Sequence, residues 1–178
     1  MGNRQVYLDE LYRQYVKPLY FYLLRLCGSA EVAEDLAQET FVQATIYLDT
    51  YDNERARAWL FKVARNVYLD EWRKQQRRKN NPLFQLFLRQ KEMVSPYGLP
   101  EEALLQQERS AKMEDLLSYL PEQYRSILYL REYQSFSYQE MMEALHLSEQ
   151  QVKVTLHRAR KRLAELAEKK GWEDDTVE

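Results

Sequence analysis

The sequence is poor in residues that punctuate or cross-link a chain. Four glycines and five prolines among 178 residues leave few sites for sharp turns. A single cysteine, Cys27, excludes an internal disulfide, and its apolar surroundings suggest a buried thiol. Two histidines and one cysteine provide no cluster with metal-ligand spacing, so neither a metal nor another cofactor is expected. There is no Gly-rich phosphate loop and no Ser/Cys–His arrangement with an orienting partner, which argues against an enzyme. No apolar run approaches the roughly 20 residues of a membrane span, and the first residues lack a signal-like apolar stretch. A cytoplasmic location without direct membrane insertion is expected.

What remains favours helix. Leu, Glu, Arg, Gln and Tyr dominate, and the length fits one medium or two small domains, so the expected fold is all-α. The net charge of −2 hides a segregation. Arg73, Lys74, Arg77, Arg78 and Lys79 form one basic run, and Lys153, Arg158, Arg160, Lys161 and Arg162 form a second. Glu31, Glu34, Asp35 and Glu39 make an acidic helix, and Glu173, Asp174, Asp175 and Glu178 an acidic tail. Two separated basic surfaces suit two phosphate contacts, and an acidic helix suits a basic protein partner, although each is also what a solvated helix face looks like.

Periodicity divides the chain into two helical units. The first occupies residues 1–79. Leu8, Leu11, Tyr15, Leu19, Tyr22, Leu23 and Leu26 recur at helical spacing, with Pro18 marking a break or kink, and Gly28 and Ser29 separate this helix from the next. The second helix places Ala33, Leu36, Ala37, Thr40, Ala44 and Tyr47 on one side and Asp35, Gln38, Glu39 and Val42 on another. The pattern stops at a loop over 49–53. A third helix follows, with Ala56, Leu60, Val63, Ala64 and Val67 inward and Lys62, Arg65, Asn66, Leu69 and Arg73 outward. Residues 80–107 read as a linker, with Phe84, Leu86, Phe87 and Leu88 apolar enough to dock on something.

The second unit spans 108–170, ahead of an acidic tail at 171–178. Leu104, Leu105, Met113, Leu116 and Leu117 mark a helix, and Pro121 stands where a first helical residue would. Two capping boxes follow, Ser137 with Glu140 and Ser148 with Gln151, separated by a short helix and the His146-Leu147 turn. Histidine tolerates the positive φ that such a turn needs. A short helix, a tight turn and a long basic helix make a helix-turn-helix. With Val152, Leu156, Ala159, Leu163 and Leu166 inward, Gln150, Lys153, Val154, His157, Arg158 and Lys161 face outward as amides, cations and one methyl-bearing residue suited to a major groove. In the first unit, Tyr51, Asn66 and the cations after Trp72 combine a stacking surface, an amide and charge, the means by which single strands are held. For Trp59 and Trp72 themselves, packing is the simpler role.

The run Asp35-Leu36-Ala37-Gln38-Glu39-Thr40-Phe41 resembles region 2.2 of sigma-70-family proteins. Trp59-Leu60-Phe61-Lys62-Val63-Ala64-Arg65-Asn66 with Asp70 and Arg73 resembles regions 2.3–2.4 of the extracytoplasmic-function (group IV) sigma factors. Leu120-Pro121, Tyr124-Arg125, Phe136 to Glu140 and Val152 to Arg160 resemble region 4. The resemblance spans both units in order. It implies an alternative sigma factor that directs promoter-specific initiation by RNA polymerase, with Asp35, Gln38 and Glu39 on the β′ clamp helices and a further contact to the β flap. Tyr51, Asp52, Asn53, Lys62, Arg65, Asn66 and Arg73 would hold the melted −10 element. Gln150, Gln151, Lys153, Val154, His157, Arg158 and Lys161 would read the −35 element. It also implies an anti-sigma factor, often membrane-anchored. Relatives tend to carry Gly-Thr where this chain has Gln150-Gln151, and Ser with a basic residue where it has Val154-Thr155, so no −35 sequence transfers from them. A self-sufficient helix-turn-helix regulator would leave the 35–41 stripe and the 59–66 helix without a role, and a helical adaptor would need the acidic helix alone.

Promoter elements some 16 base pairs apart lie roughly 55 Å apart. A free linker of about 25 residues averages on the order of 25–30 Å, though it can stretch to about 85 Å. Polymerase would therefore have to hold the two units apart, and the isolated chain is expected to bind promoters poorly.

Overall fold

In the computed structural model, residues 2–47, 53–79, 113 and 115–172 are described, and all regular structure among them is helical. The chain divides into two compact units, residues 1–98 and 99–178. The apolar linker residues, Leu104 and Leu105, and the acidic tail from Glu173 lie outside the described residues.

Three helices build the first unit: α1 (Gly2–Cys27), α2 (Ala30–Tyr47) and α3 (Asn53–Lys79). α1 runs through Pro18 as one helix, so of the expected break or kink the break is absent. The lost donor at Pro18 would have served the carbonyl of Gln14, an exposed residue that water can reach. Gly28 ends the helix at φ +70°, a conformation that favours glycine, and the Ser29 hydroxyl accepts from Val32 N at 3.3 Å to cap α2. Cys27 is half-buried rather than buried, with its thiol donating to the Ser29 carbonyl at 3.3 Å.

Alanines at 33, 37 and 44 let α2 lie close to its neighbours, and Leu19, Tyr22 and Leu23 of α1 meet Leu60, Phe61 and Ala64 of α3 in a fully buried core. Tyr22 and Phe61 pack with centroids 5.3 Å apart. The buried Thr40 hydroxyl donates to the Leu36 carbonyl at 2.8 Å, which satisfies it without a distant partner. α3 packs against both α1 and α2, and its first turns are enclosed on more than one side. Ala58, Trp59, Phe61 and Tyr68 are therefore buried beside the expected inward residues. Tyr47 is a correction: at the last position of α2 it is 62% exposed, beyond the reach of its neighbours.

In the second unit, α4 (Glu122–Leu128) continues into a π-helical turn, Tyr129–Tyr133, followed by α5 (Tyr138–Leu145) and α6 (Glu149–Lys169). Pro121 is the N-cap of α4 and not its first helical residue, with φ −56° and ψ 150°. Its carbonyl accepts from Tyr124 N and Arg125 N. The π turn, which nothing in the sequence announces, carries stacked Tyr129 and Tyr133 rings 5.4 Å apart. It ends where Phe136 N donates to the Leu130 carbonyl at 2.9 Å, while the Arg131 guanidinium donates to the Phe136 carbonyl at 2.7 Å. These bonds fix a fully buried Phe136 directly ahead of the α5 cap. Arg160 of α6 reaches back to Glu132 at 2.6 Å and ties α6 to the π turn. Ile127, Leu130, Phe136, Met141, Val152 and Ala159 form the core that α4, α5 and α6 share.

Candidate nucleic-acid interface

Local chemistry shapes the turn between α5 and α6. Ser137 and Ser148 each form a complete capping box. The Ser137 hydroxyl accepts from Glu140 N at 3.2 Å and the Glu140 carboxylate accepts from Ser137 N at 2.8 Å; Ser148 and Gln151 do the same with equal distances. Between them, His146 adopts the left-handed conformation at φ 54° and ψ 51°, and its N–H and that of Leu147 both reach the Met142 carbonyl. The two satisfied caps and the left-handed His146 fix the course of the chain between α5 and α6, and α6 keeps one face outward. A β-branched residue fits the left-handed region badly. We expect His146→Val to destabilise this unit by roughly 1–2 kcal/mol, read as a lowered urea midpoint at unchanged slope.

On α6, Val152, Leu156 and Ala159 are buried, and Leu163 and Leu166, expected inward, are half-buried toward the helix end. Gln150, Gln151, Lys153, Val154, His157, Arg158 and Lys161 are all exposed. They do not form one uniform surface. Ser148, Gln150, Gln151, Val154, Thr155 and Arg158 line a single shallow notch. Lys153 turns to the other side, where it bonds Glu149 at 2.6 Å and lies 5.9 Å from the centroid of the Tyr138 ring. Arg131 lies 5.4 Å from the centroid of the same ring. The hydrogen bond and charge of Glu149 raise the Lys153 pKa, and the same bond holds the Glu149 carboxyl below its ordinary range, so the pair is fully charged near neutrality. Thr155, Tyr138 and Arg131 join this face without having been singled out from the sequence. Thr155 was legible as the i+4 neighbour of Gln151, whereas the two cations around Tyr138 depend on the π turn.

In the first unit, Asn66 and Arg73 are exposed on α3, Lys62 and Arg65 are half-buried, and Arg73 pairs with Asp70 at 2.9 Å. Tyr51 and Asp52 lie outside the described residues, as does the side chain of Asn53, whose backbone begins α3. Trp59, only 7% exposed, is a packing residue; Trp72, expected to pack as well, is 48% exposed beside Arg73. On α2, Asp35, Gln38 and Glu39 share an exposed face that continues through Val42 and Ile46. This stripe is acidic at one end and apolar at the other. Among the described residues no group of three or more His, Cys, Asp or Glu could hold a metal ion.

Two bodies, a three-helix unit with an acidic outer face and then a helix-turn-helix, match two family models in that order. Residues 11–78 match Sigma-70 region 2, and residues 110–163 match Sigma-70, region 4. The chain belongs to the sigma-70 family. Within it, the relatives include extracytoplasmic-function (ECF) sigma factors. The sigma factor is 34% identical to the ECF RNA polymerase sigma factor SigM of Bacillus subtilis, over 89% of this chain and 94% of that one. It is 34% identical to the RNA polymerase sigma factor YlaC of the same organism, over 86% and 87%. The fold also matches the sigma factor RpoE solved in complex with the anti-sigma factor NepR from Bartonella quintana, with a TM-score of 0.70 over 90% of this chain and 96% of that one at 23% identity. CnrH, solved with the cytosolic domain of CnrY, matches with a TM-score of 0.65 over 93% and 90%. This sigma factor is thus an alternative sigma factor for promoter-specific transcription initiation, and it acts by binding, not by enzymatic catalysis.

Proposed function

We propose that α6 reads the −35 element in the major groove while the first unit captures the melted −10 element and docks on polymerase. The observation that carries this reading is the rigid α5–α6 turn, which presents Gln150, Val154, Arg158, Lys153, His157 and Lys161 on one exposed helix. Arg131 and Lys153 beside Tyr138 suit a phosphate flanking the groove, since two cations over an aromatic ring form a compact positive site. On α3, Asn66, Arg73 and the exposed Trp72 offer an amide, a cation and a stacking surface to an unpaired strand; Lys62 and Arg65 flank them. Tyr51, Asp52 and Asn53 complete this assignment by resemblance.

Core binding falls to Asp35, Gln38 and Glu39, against the basic clamp helices of the polymerase β′ subunit, with the second unit meeting the β flap. The apolar continuation at Val42 and Ile46 extends that face, because a charged rim with an apolar neighbour is how such interfaces are built. The sigma factor works where polymerase is, in the cytoplasm; no helix among the described residues is long and apolar enough to cross a membrane. A membrane-anchored anti-sigma factor is proposed as its regulator, since two structural neighbours, RpoE and CnrH, were solved bound to NepR and to the cytosolic domain of CnrY. The domain limits proposed are 1–79, 80–107 and 108–170.

The test is transcription by core polymerase with and without the purified chain on a promoter library, followed by sequencing of RNA 5′ ends. Two sequence elements at a fixed spacing should emerge only when the chain is present. Initiation that depends on the chain but shows no upstream element would remove α6 from promoter reading. Tight specific binding by the chain without polymerase would instead favour a self-sufficient regulator.

A further inference from the structure

The two adjacent glutamines at the start of α6 are chemically alike in sequence but not in the structure. The Gln151 side-chain oxygen is committed to the cap, where it accepts from Ser148 N at 2.8 Å, so only its NH2 group remains to face DNA. Gln150 keeps both its carbonyl and its NH2 group, with no hydrogen-bond partner among the described residues. Glutamine recognises adenine by donating to N7 and accepting from the N6 amine at once, which takes both ends of the amide. The Gln151 oxygen is turned back to the Ser148 N–H, so presenting both ends of its amide to one base would break the cap, at a cost to the helix start of about 1 kcal/mol. Gln150 can do it at no structural cost.

We propose that Gln150 is a specificity-determining residue that reads an adenine in the −35 element, and that Gln151 is a positioning residue which fixes the angle of α6 without choosing a base. The inference rests on α6 being the −35 reader. Gln150, Val154 and Arg158 stand four residues apart in one row, about 6 Å between successive members. With base pairs spaced about 3.4 Å, the row spans roughly three to four of them. Val154, 40% exposed and without a polar group, lies one to two base pairs from Gln150 and fits a thymine methyl. Arg158 at the far end reaches phosphate or a purine edge. Gln150, Val154 and Arg158 also line one shallow notch, which Ser148, Gln151 and Thr155 share. Lys153, engaged by Glu149 on the other side, is left to the backbone.

The experiment uses the full chain with core polymerase and a promoter library randomised across the −35 element, scored by sequencing the transcripts. Gln150→Ala should flatten the preference for adenine at one position by about 10- to 100-fold and leave the other positions unchanged. Gln151→Glu keeps the cap acceptor but adds a negative charge facing DNA. It should lower transcription from all library members alike and preserve every letter. A changed letter in Gln151→Glu, or a uniform loss in Gln150→Ala, overturns the assignment. A wild-type chain that initiates without any −35 preference would sink the parent reading instead, and the two failures are distinguishable because the second is visible before any substitution is made.

Discussion

Replacing Asp35, Gln38 and Glu39 together with alanine is expected to lower association with core polymerase and promoter-directed RNA synthesis by at least about 100-fold. The magnitude follows from three charged or hydrogen-bonding groups lost from one desolvated contact, where a few residues carry most of the energy. The substitution is clean because all three side chains are exposed and alanine is the best helix former. Among the described residues, the side-chain bond lost is the Gln43 amide to the Glu39 carboxylate at 3.2 Å, a helix-surface pair worth a few tenths of a kcal/mol. The circular-dichroism spectrum should therefore be unchanged and the stability of the first unit should stay within about 0.5 kcal/mol of the parent. Polymerase subunits recovered in undiminished amount by pull-down, with runoff transcription intact, would remove the clamp contact from this face. Intact polymerase binding with lost transcription would also contradict it, by placing these residues at a later step.

The parts of the fold that were legible in the sequence are those with local causes. Each capping box needs only a serine and an acceptor three residues on, and both form with the bonds expected of them. The left-handed turn at His146 follows from the two residues, His146 and Leu147, left between the end of α5 and the second N-cap. Inward faces of α2 and α6 followed from 3.6-residue periodicity, which works when a helix is buried on one side. It under-reads α3, where two neighbouring helices enclose the first turns and bury Trp59 and Phe61 off the main stripe. It over-reads helix ends, where Tyr47 keeps the phase of the core but has nothing to pack against. Trp72 was misjudged for a related reason: residue type favours burial, and position late in α3 decides against it.

The site was legible as a list of exposed residues but not as an arrangement. Periodicity puts Gln150 and Gln151 on the same outward arc, yet one amide is half consumed by the cap. Lys153 and Arg158 look equivalent as cations, yet an acid one turn earlier holds the first on the Tyr138 side. The π turn was invisible because it arises from contacts distant from any turn signal. Phe136 must reach the core, Arg131 must reach the Phe136 carbonyl, and Glu132 must meet Arg160 of a later helix. An extra residue in the helical turn reconciles these demands.

That turn leads to the largest stability effect expected in the molecule. Phe136→Ala should destabilise the second unit by about 3–5 kcal/mol, the usual cost of emptying a fully buried aromatic site. The bonds made by the Phe136 backbone N–H and carbonyl survive in the variant, so the loss reports the ring itself. A unit of about 60 residues has total stability on the order of 3–9 kcal/mol, and the variant is therefore close to unfolding at growth temperature. In a thermal scan of the full chain, one transition should fall by about 15–30 °C while the other holds its midpoint. The first unit keeps its core of Tyr22, Leu60 and Phe61 and its α2 face, so polymerase binding through that face should persist while −35-dependent transcription is lost. A single transition shifting as a whole would mean that the two units unfold together and that one core supports both. An unmoved second transition would mean that α5 and α6 hold their angle without the Phe136 ring, with the two capping boxes and the His146 turn carrying the geometry alone.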